Sequence, residues 1–178
     1  RLDGYLGWFL DSLAATTPGE QTLLVLTSDH GTQAMPEQAA PIGGHPAGRA
    51  WPSALVRGVA NELRDRWRTD FKIRFDYGIV TADLAALRSR GIDADSLSRS
   101  LAARFRQEPY VDRVYTPISL ARASGSDPIA SRWRHTIPDG FGWLVAVTPH
   151  EGTTWDSWPT GANHGTPWLA DVQVPILF

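Results

Sequence analysis

A short stretch near the N-terminus ends in two side chains that commonly bind metal ions. Four apolar residues, Leu23–Leu26, are followed by the sequence Thr-Ser-Asp29-His30-Gly31. The apolar run predicts a strand buried on both faces, as in a parallel sheet. In open α/β sheets, ligands gather at the carboxyl ends of strands, which is where Asp29 and His30 fall. A carboxylate beside an imidazole suits zinc or a similar cation, although Asp29 could instead cap the next turn and His30 could be a solvated loop residue.

A second His-Gly step lies near the other end of the chain. Residues 161–168 read GANHGTPW, with His164 in the middle, and Asp171 and the apolar run Val174–Phe178 follow. In order and spacing, the two segments resemble the alkaline phosphatase superfamily. The resemblance is to its type I phosphodiesterase and phosphate-irrepressible alkaline phosphatase branch, whose members carry Thr-Ala/Ser-Asp-His-Gly and later His-Gly-Ser/Thr-Pro-Tyr with Asp-x-His-Val-Pro. Two positions depart from that pattern: Trp168 stands where Tyr is usual and Gln173 where His is usual.

The resemblance implies a phosphoester hydrolase with two divalent metal ions, Zn²⁺ by preference. Asp29 and His30 would bind one ion and His164 would help to bind the other, so we expect these side chains within roughly 8 Å of one another. The Thr or Ser nucleophile and the remaining ligands are expected upstream of Arg1. We therefore expect these 178 residues alone to be inactive or nearly so. Whether the substrate is a phosphate monoester or a diester is not decided by these residues.

Two other functional classes stay open at this point. A catalytically inactive relative of the superfamily could serve as a metal-binding or ligand-binding module, because the nucleophile cannot be read from this chain. An unrelated structural α/β domain would instead leave Asp29, His30 and His164 scattered on loops. The remaining histidines, His45, His135 and His150, are interpreted as structural or solvated, and a Gly-Gly step before His45 lacks the pattern of a phosphate-binding loop.

The composition of the chain argues against several classes of partner and of site. The chain has 42% hydrophobic and 20% charged residues, which is enough for a substantial core. A formal net charge of −2 gives no electrostatic reason to expect nucleic acid as a partner. No apolar run approaches the roughly 18 residues needed to span a bilayer, and the lack of cysteine excludes disulfides and a cysteine nucleophile. The expected partner is a small phosphate ester, the family resemblance favours a periplasmic or secreted protein, and the oligomeric state is left open.

The predicted fold class is α/β. The expected core is alkaline-phosphatase-like, with a mostly parallel central sheet flanked by helices, and would comprise residues 1–45 and 139–178. A small inserted α/β subdomain would comprise residues 46–138. The apolar spacing predicts helices over 1–15, 54–68, 83–90 and 95–105, and strands over 22–27, 71–75 and 110–115. Residues 77–80 either continue the strand 71–75 or start another, and residues 142–147 are predicted as a buried strand that returns to the core sheet.

Overall fold

The computed structural model describes residues 1–17, 22–156, 158 and 160–178. These residues divide into two compact units, one formed by Arg1–Asp29 with Val174–Phe178 and the other by His30–Gln173. The helices of the described part are α1 (Leu2–Thr16), α2 (Ser53–Trp67), α3 (Leu84–Ser89), α4 (Ala94–Phe105), α5 (Pro117–Arg122), α6 (Pro128–Thr136) and α7 (Leu169–Val172). Its strands are β1 (Leu26–Thr27), β2 (Gly48–Ala50), β3 (Arg74–Asp76), β4 (Ile79–Thr81), β5 (Val111–Tyr115), β6 (Trp143–Pro149), β7 (Thr153–Trp155) and β8 (Ile176–Leu177).

The smaller unit joins the strands that belong to the two sequence motifs. β1 pairs antiparallel with β8, with Leu26 opposite Leu177 and Thr27 opposite Ile176. The hydroxyl of Thr27 also donates to the carbonyl of Pro175 at 2.9 Å. The helix predicted over 1–15 is confirmed as α1, which contains no buried residue.

The expectation of a strand buried on both faces over 22–27 was wrong for this chain. Only Leu26 and Thr27 form a strand, and Leu23 is 77% exposed. Among the described residues, the strand that pairs with β1 is β8. The apolar run therefore has too few neighbouring strands to bury it. The run shows the composition of a buried strand without the packing that would bury it here.

The larger unit is built around a four-stranded sheet with the order β3-β4-β6-β5. Every neighbouring pair in this sheet is antiparallel. The sequence explains this locally, because a two-residue turn joins β3 to β4 and such a turn can only join antiparallel neighbours. The buried strand predicted over 142–147 is present as β6, and it lies between β4 and β5. The mostly parallel central sheet is not confirmed, since β2 and β7 are the parallel pair of the described residues.

The hydrophobic core of the larger unit lies between this sheet and the helices. Leu101, Phe105 and Leu144 are fully buried within it. Side-chain caps fix where the helices begin: Asp93 accepts from backbone amides at the start of α4, and Asp127 does so for α6.

The α/β class is confirmed, and no helix among the described residues is long and apolar enough to cross a membrane.

Candidate functional site

The structure brings the two sequence motifs together through their histidines. The rings of His30 and His164 are stacked, with centroids 3.6 Å apart and planes inclined by 19°. This lies within the roughly 8 Å expected of ligands to a two-ion site. His164 is half-buried and His30 is exposed, so the pair lies at the surface of the larger unit.

The backbone carbonyl of the next residue, Gly31, fixes the tautomer of the His30 ring. Its Nδ1 atom lies 2.7 Å from the carbonyl oxygen of Gly31. A carbonyl oxygen can only accept a hydrogen bond, so Nδ1 must carry the proton and Nε2 must carry the lone pair. A hydrogen bond of this kind, from one ring nitrogen to a carbonyl, orients metal-binding histidines in proteins generally. A neutral His30 ring with this tautomer would bind a cation through Nε2.

Hydrogen bonds join the segment after His30 to the segment around His164. The hydroxyl of Thr32 donates to the carbonyl of Asn163 at 3.1 Å, and the amide of Gln33 donates to the same carbonyl at 3.4 Å. The side chain of Asn163 in turn donates to the carbonyl of Trp155 at 2.7 Å and accepts from the amide of His164 at 2.9 Å. These bonds fix both backbone segments beside each other, which is what places the two rings in contact.

A buried carboxylate lies beneath the pair. Asp171 is 3% exposed, and its Oδ2 atom accepts from the amide and the hydroxyl of Thr166 at 2.8 and 2.7 Å and from the side chain of Gln33 at 3.3 Å. Its backbone carbonyl accepts from the amide of Gly31 at 2.8 Å. Gln33 is also buried and accepts from the amide of Gly152 at 2.8 Å. Asp171 thus touches both histidine-bearing segments at once.

Arg49 binds the chain segment that leads to His164. Arg49 of β2 donates to Asp156 at 2.9 Å and to the carbonyl of Gly161 at 2.6 Å. It also binds both carboxylate oxygens of Glu37, and this hydrogen bonding lowers the pKa of Glu37 to about 2. Glu37 therefore stays ionised at neutral pH, and Arg49 keeps a fixed position from which it holds the segment that leads to His164.

His164 also stacks with an aromatic ring from the β3–β4 turn. Tyr77 stacks on His164 with centroids 5.6 Å apart and planes inclined by only 8°. Gly165 makes room for it, because a Cβ atom at that position would overlap the Tyr77 ring. The sequence interpretation missed Tyr77, although Tyr-Gly between two alternating runs is a turn signal that could have indicated a hairpin.

Asp29 belongs to the smaller unit and directly precedes His30 in the chain. Its Oδ1 atom accepts from the hydroxyl of Ser28 at 3.4 Å, and the residue is exposed. A search of the described residues for three or more His, Cys, Asp or Glu side chains that could hold a metal ion finds no such group. The ligand roles of Asp29, His30 and His164 therefore stay predictions.

A second pair of stacked histidines lies elsewhere in the larger unit. His45 and His150 have ring centroids 3.5 Å apart and planes inclined by 8°. His45 closes a tight hairpin, whose backbone bonds join it to Ile42 at 3.0 Å. Burial and the charge of His45 lower the pKa of His150, while Asp112 opposes this shift. Both residues were interpreted as structural or solvated, and their mutual contact was not expected.

The two departures from the family motif have visible consequences. Trp168 is half-buried and its indole nitrogen donates to the carbonyl of Pro149 at 2.9 Å, which anchors the segment after His164 to the end of β6. Gln173 is exposed and its amide closes α7 onto Leu169 at 2.8 Å. Trp155 is buried in the core and Trp158 is exposed, so these two do not line a common pocket wall.

Comparison with known proteins yields structural matches and no sequence matches. No protein-family model matches the chain, and no curated protein does. Among solved structures, the crystal structure of wild-type alkaline phosphatase PafA matches with a TM-score of 0.76 and 20% identity, as does a variant of that enzyme with four substitutions. Each match covers 99% of this chain and 33% of the other. The chain has an alkaline-phosphatase-like fold. It spans about a third of the length of the structures that it matches.

Proposed function

We propose that this chain is part of a metal-dependent phosphoester hydrolase in which Asp29 and His30 bind one divalent ion and His164 helps to bind a second. The observation that carries the proposal is the contact between His30 and His164, at centroids 3.6 Å apart, in a fold that resembles an alkaline phosphatase. The Thr or Ser nucleophile and the remaining ligands would come from outside these 178 residues. The same motifs support the phosphodiesterase and phosphate-irrepressible phosphatase branch, and with it a periplasmic or secreted location.

The geometry of the two rings fits two ions better than one. A shared ion must lie in the plane of each imidazole, because the nitrogen lone pair lies in that plane. Rings stacked at 3.6 Å direct their lone pairs along separate and nearly parallel planes. Paired ions in phosphoryl-transfer sites are about 3.5–4 Å apart, which is close to the spacing of the rings. Each ring can therefore hold its own ion while the stack stays intact.

Phosphoryl transfer demands positioning and charge neutralisation more than covalent chemistry. Two bound divalent ions would neutralise the phosphoryl oxygens and stabilise the attacking and leaving oxygens. The chain's own contribution is to fix the ligands. The Gly31 carbonyl sets the tautomer of His30, and Asp171 holds both histidine segments. The carboxylate of Asp29 would add a negative charge that attracts the cation.

The predicted organisation is part of this proposal. Residues 1–45 and 139–178 would form the alkaline-phosphatase-like core, and residues 46–138 would form a subdomain inserted beside the site. The substrate would be a small phosphate ester, and zinc would be the preferred ion because imidazole and carboxylate are its usual ligands.

The test is hydrolysis of an aryl phosphate monoester and an aryl phosphate diester, in zinc, by the full-length polypeptide and by these 178 residues. We expect turnover of at least one ester by the longer protein and little or none by the shorter chain. Asp29→Ala, His30→Ala and His164→Ala should each lower kcat/KM by at least about 100-fold, because loss of a direct ligand exceeds the 10–100-fold cost of losing an outer partner. His135→Ala, at an exposed histidine, is the matched control. Zinc binding without turnover would indicate an inactive relative, and unchanged kinetics in the three variants would contradict the proposal.

A further inference from the structure

Tyr77 occupies a backbone conformation that its side chain disfavours. The turn between β3 and β4 consists of Tyr77 and Gly78, since Asp76 is paired with Ile79. Both turn residues have positive φ, 40° for Tyr77 and 88° for Gly78. Two-residue hairpins of this kind prefer Asn or Asp followed by Gly, and a bulky residue with positive φ is a genuine outlier. Outliers of this kind persist where the surroundings fix them, and they cluster at functional sites.

The surroundings of the turn leave it little freedom. A Cβ atom on Gly78 would lie 2.7 Å from the carbonyl oxygen of Val147 and 3.0 Å from the ring of Trp133. The Gly78 carbonyl accepts from the amide of Val147 at 2.7 Å. Gly78 is therefore pressed against β6 and the core, and the turn cannot shift to relieve Tyr77.

Two further observations connect Tyr77 with His164. The two rings are inclined by only 8°, and Gly165 lacks the Cβ atom that would overlap Tyr77. Tyr77 is nevertheless 43% exposed, so burial in the core does not explain a large aromatic residue at this position. The strained turn and the glycine both serve the contact between this ring and the histidine.

We propose that Tyr77 is a positioning residue of the candidate site, whose ring fixes the orientation of the His164 imidazole. His30 and Tyr77 both stack with the His164 ring, so that the ring can rotate only by breaking a stack. A ligand ring held in one orientation binds an ion more tightly than a freely rotating one, because less rotational freedom is lost on binding. This inference rests on the proposed function for its consequence, namely tighter metal binding, but the contact itself can be tested without metal.

The experiment uses the 178-residue chain with three substitutions. Tyr77→Phe keeps the ring, Tyr77→Leu keeps bulk without the ring, and Tyr77→Asn removes the ring while placing a residue that tolerates positive φ. In the metal-free chain, the His164 ring protons should show the same ring-current shift with Tyr77→Phe as with tyrosine, and should lose it with Tyr77→Leu and Tyr77→Asn. In the full-length polypeptide with the same substitutions, zinc affinity should stay within about twofold for Tyr77→Phe and fall about tenfold or more for the other two.

Unfolding in urea separates this role from a merely structural one. Tyr77→Asn should raise the urea midpoint because it relieves the disfavoured backbone conformation, while zinc binding falls. A Tyr77→Leu variant that matches the parent chain in ring-proton shifts and in zinc affinity would overturn the inference. So would a Tyr77→Phe variant that loses as much zinc affinity as Tyr77→Leu, since the ring would then not be the group that acts. If the full-length polypeptide binds no zinc at His30 and His164, the proposed metal site fails, and the ring-proton shifts still decide the role of Tyr77.

Discussion

The two stacked histidine pairs have almost the same internal geometry and very different surroundings. The His30–His164 and His45–His150 centroids are 3.6 and 3.5 Å apart. In the first pair, the Gly31 carbonyl sets the tautomer of His30, and a network centred on Asp171 holds both backbone segments. In the second, His45 ends a tight hairpin. Burial then favours the neutral form of His150 by lowering its pKa.

The difference shows that stacking alone does not identify a metal site. What distinguishes the first pair is the hydrogen bond between the His30 ring and the Gly31 carbonyl, together with a buried network around Asp171 that joins both backbone segments. The second pair instead joins a hairpin to the end of β6, where burial lowers the pKa of His150. We therefore propose metal binding for the first pair and a structural role for the second.

The largest expected difference between the pairs is in zinc affinity. His164→Ala should weaken zinc binding to the full-length polypeptide by at least about 100-fold, because a direct ligand is lost. His45→Ala removes one ring of an equally close stack and should leave the affinity within about twofold. Isothermal titration calorimetry measures both. Equal losses in the two variants would contradict the assignment.

The carboxylate beneath the first pair should affect both metal binding and stability. Asp171→Ala leaves the amide and the hydroxyl of Thr166 without their acceptor, and should lower the free energy of unfolding by about 2–3 kcal/mol. Zinc affinity should fall about 10–100-fold, as for other residues that orient a ligand. Urea unfolding and calorimetry provide the two values, with the exposed Asp139→Ala as control. A stability loss with unchanged zinc affinity would restrict Asp171 to a structural role.

A smaller effect is expected from alanine at two glycines that have positive φ. Gly165 (φ 100°) lies under Tyr77 in the first pair, whereas Gly43 (φ 59°) lies in the hairpin of the second with open space around it. Gly43→Ala should cost about 1 kcal/mol from backbone conformation alone. Gly165→Ala should cost about 1–2 kcal/mol more, because the added methyl group displaces the Tyr77 ring. Thermal unfolding compares the two, and a Gly165→Ala cost no greater than that of Gly43→Ala would remove the evidence for a close contact.

The smallest effect is a pH dependence that belongs to the second pair. The pKa of His150 is lowered by burial and by His45, so the unfolded chain binds this proton more readily than the folded chain. The stability that neutral His150 contributes is therefore complete above its unfolded pKa of about 6.5. It is lost as the pH falls through that value towards the lower folded pKa. His150→Gln should flatten the fall in urea midpoint between pH 8 and pH 5. An unchanged pH dependence in this variant would show that the stack does not titrate.

Structural features encoded within a single segment could be predicted from the sequence. Features that depend on other segments packing nearby could not. Helix α1 and strand β6 were found because their apolar spacing is a property of the segment itself. The burial of Leu23–Leu26 was predicted wrongly, because burial depends on neighbouring strands that the described residues do not supply. The meeting of His30 and His164 was expected from the family motifs rather than from periodicity.

The parts of the site that were missed all depend on contacts between distant segments. Asp171 was recognised as a motif residue, but nothing in the sequence states that it would bind Thr166 and Gln33. Tyr77 was assigned to a strand, because its turn has Tyr where Asn or Asp would have been recognised. The stacking of His45 on His150 joins two loops that the sequence separates widely, and no local pattern encodes it.

The most direct test of the central claim is a zinc titration of the full-length polypeptide followed by the NMR signals of its histidine rings. The account predicts that the ring signals of His30 and His164 shift or broaden as zinc is added, with Nε2 of His30 as the nitrogen that responds. The signals of His45 and His150, which are stacked just as closely, should stay in place. A response confined to His45 and His150, or none at His30 and His164, would contradict the assignment of the metal site.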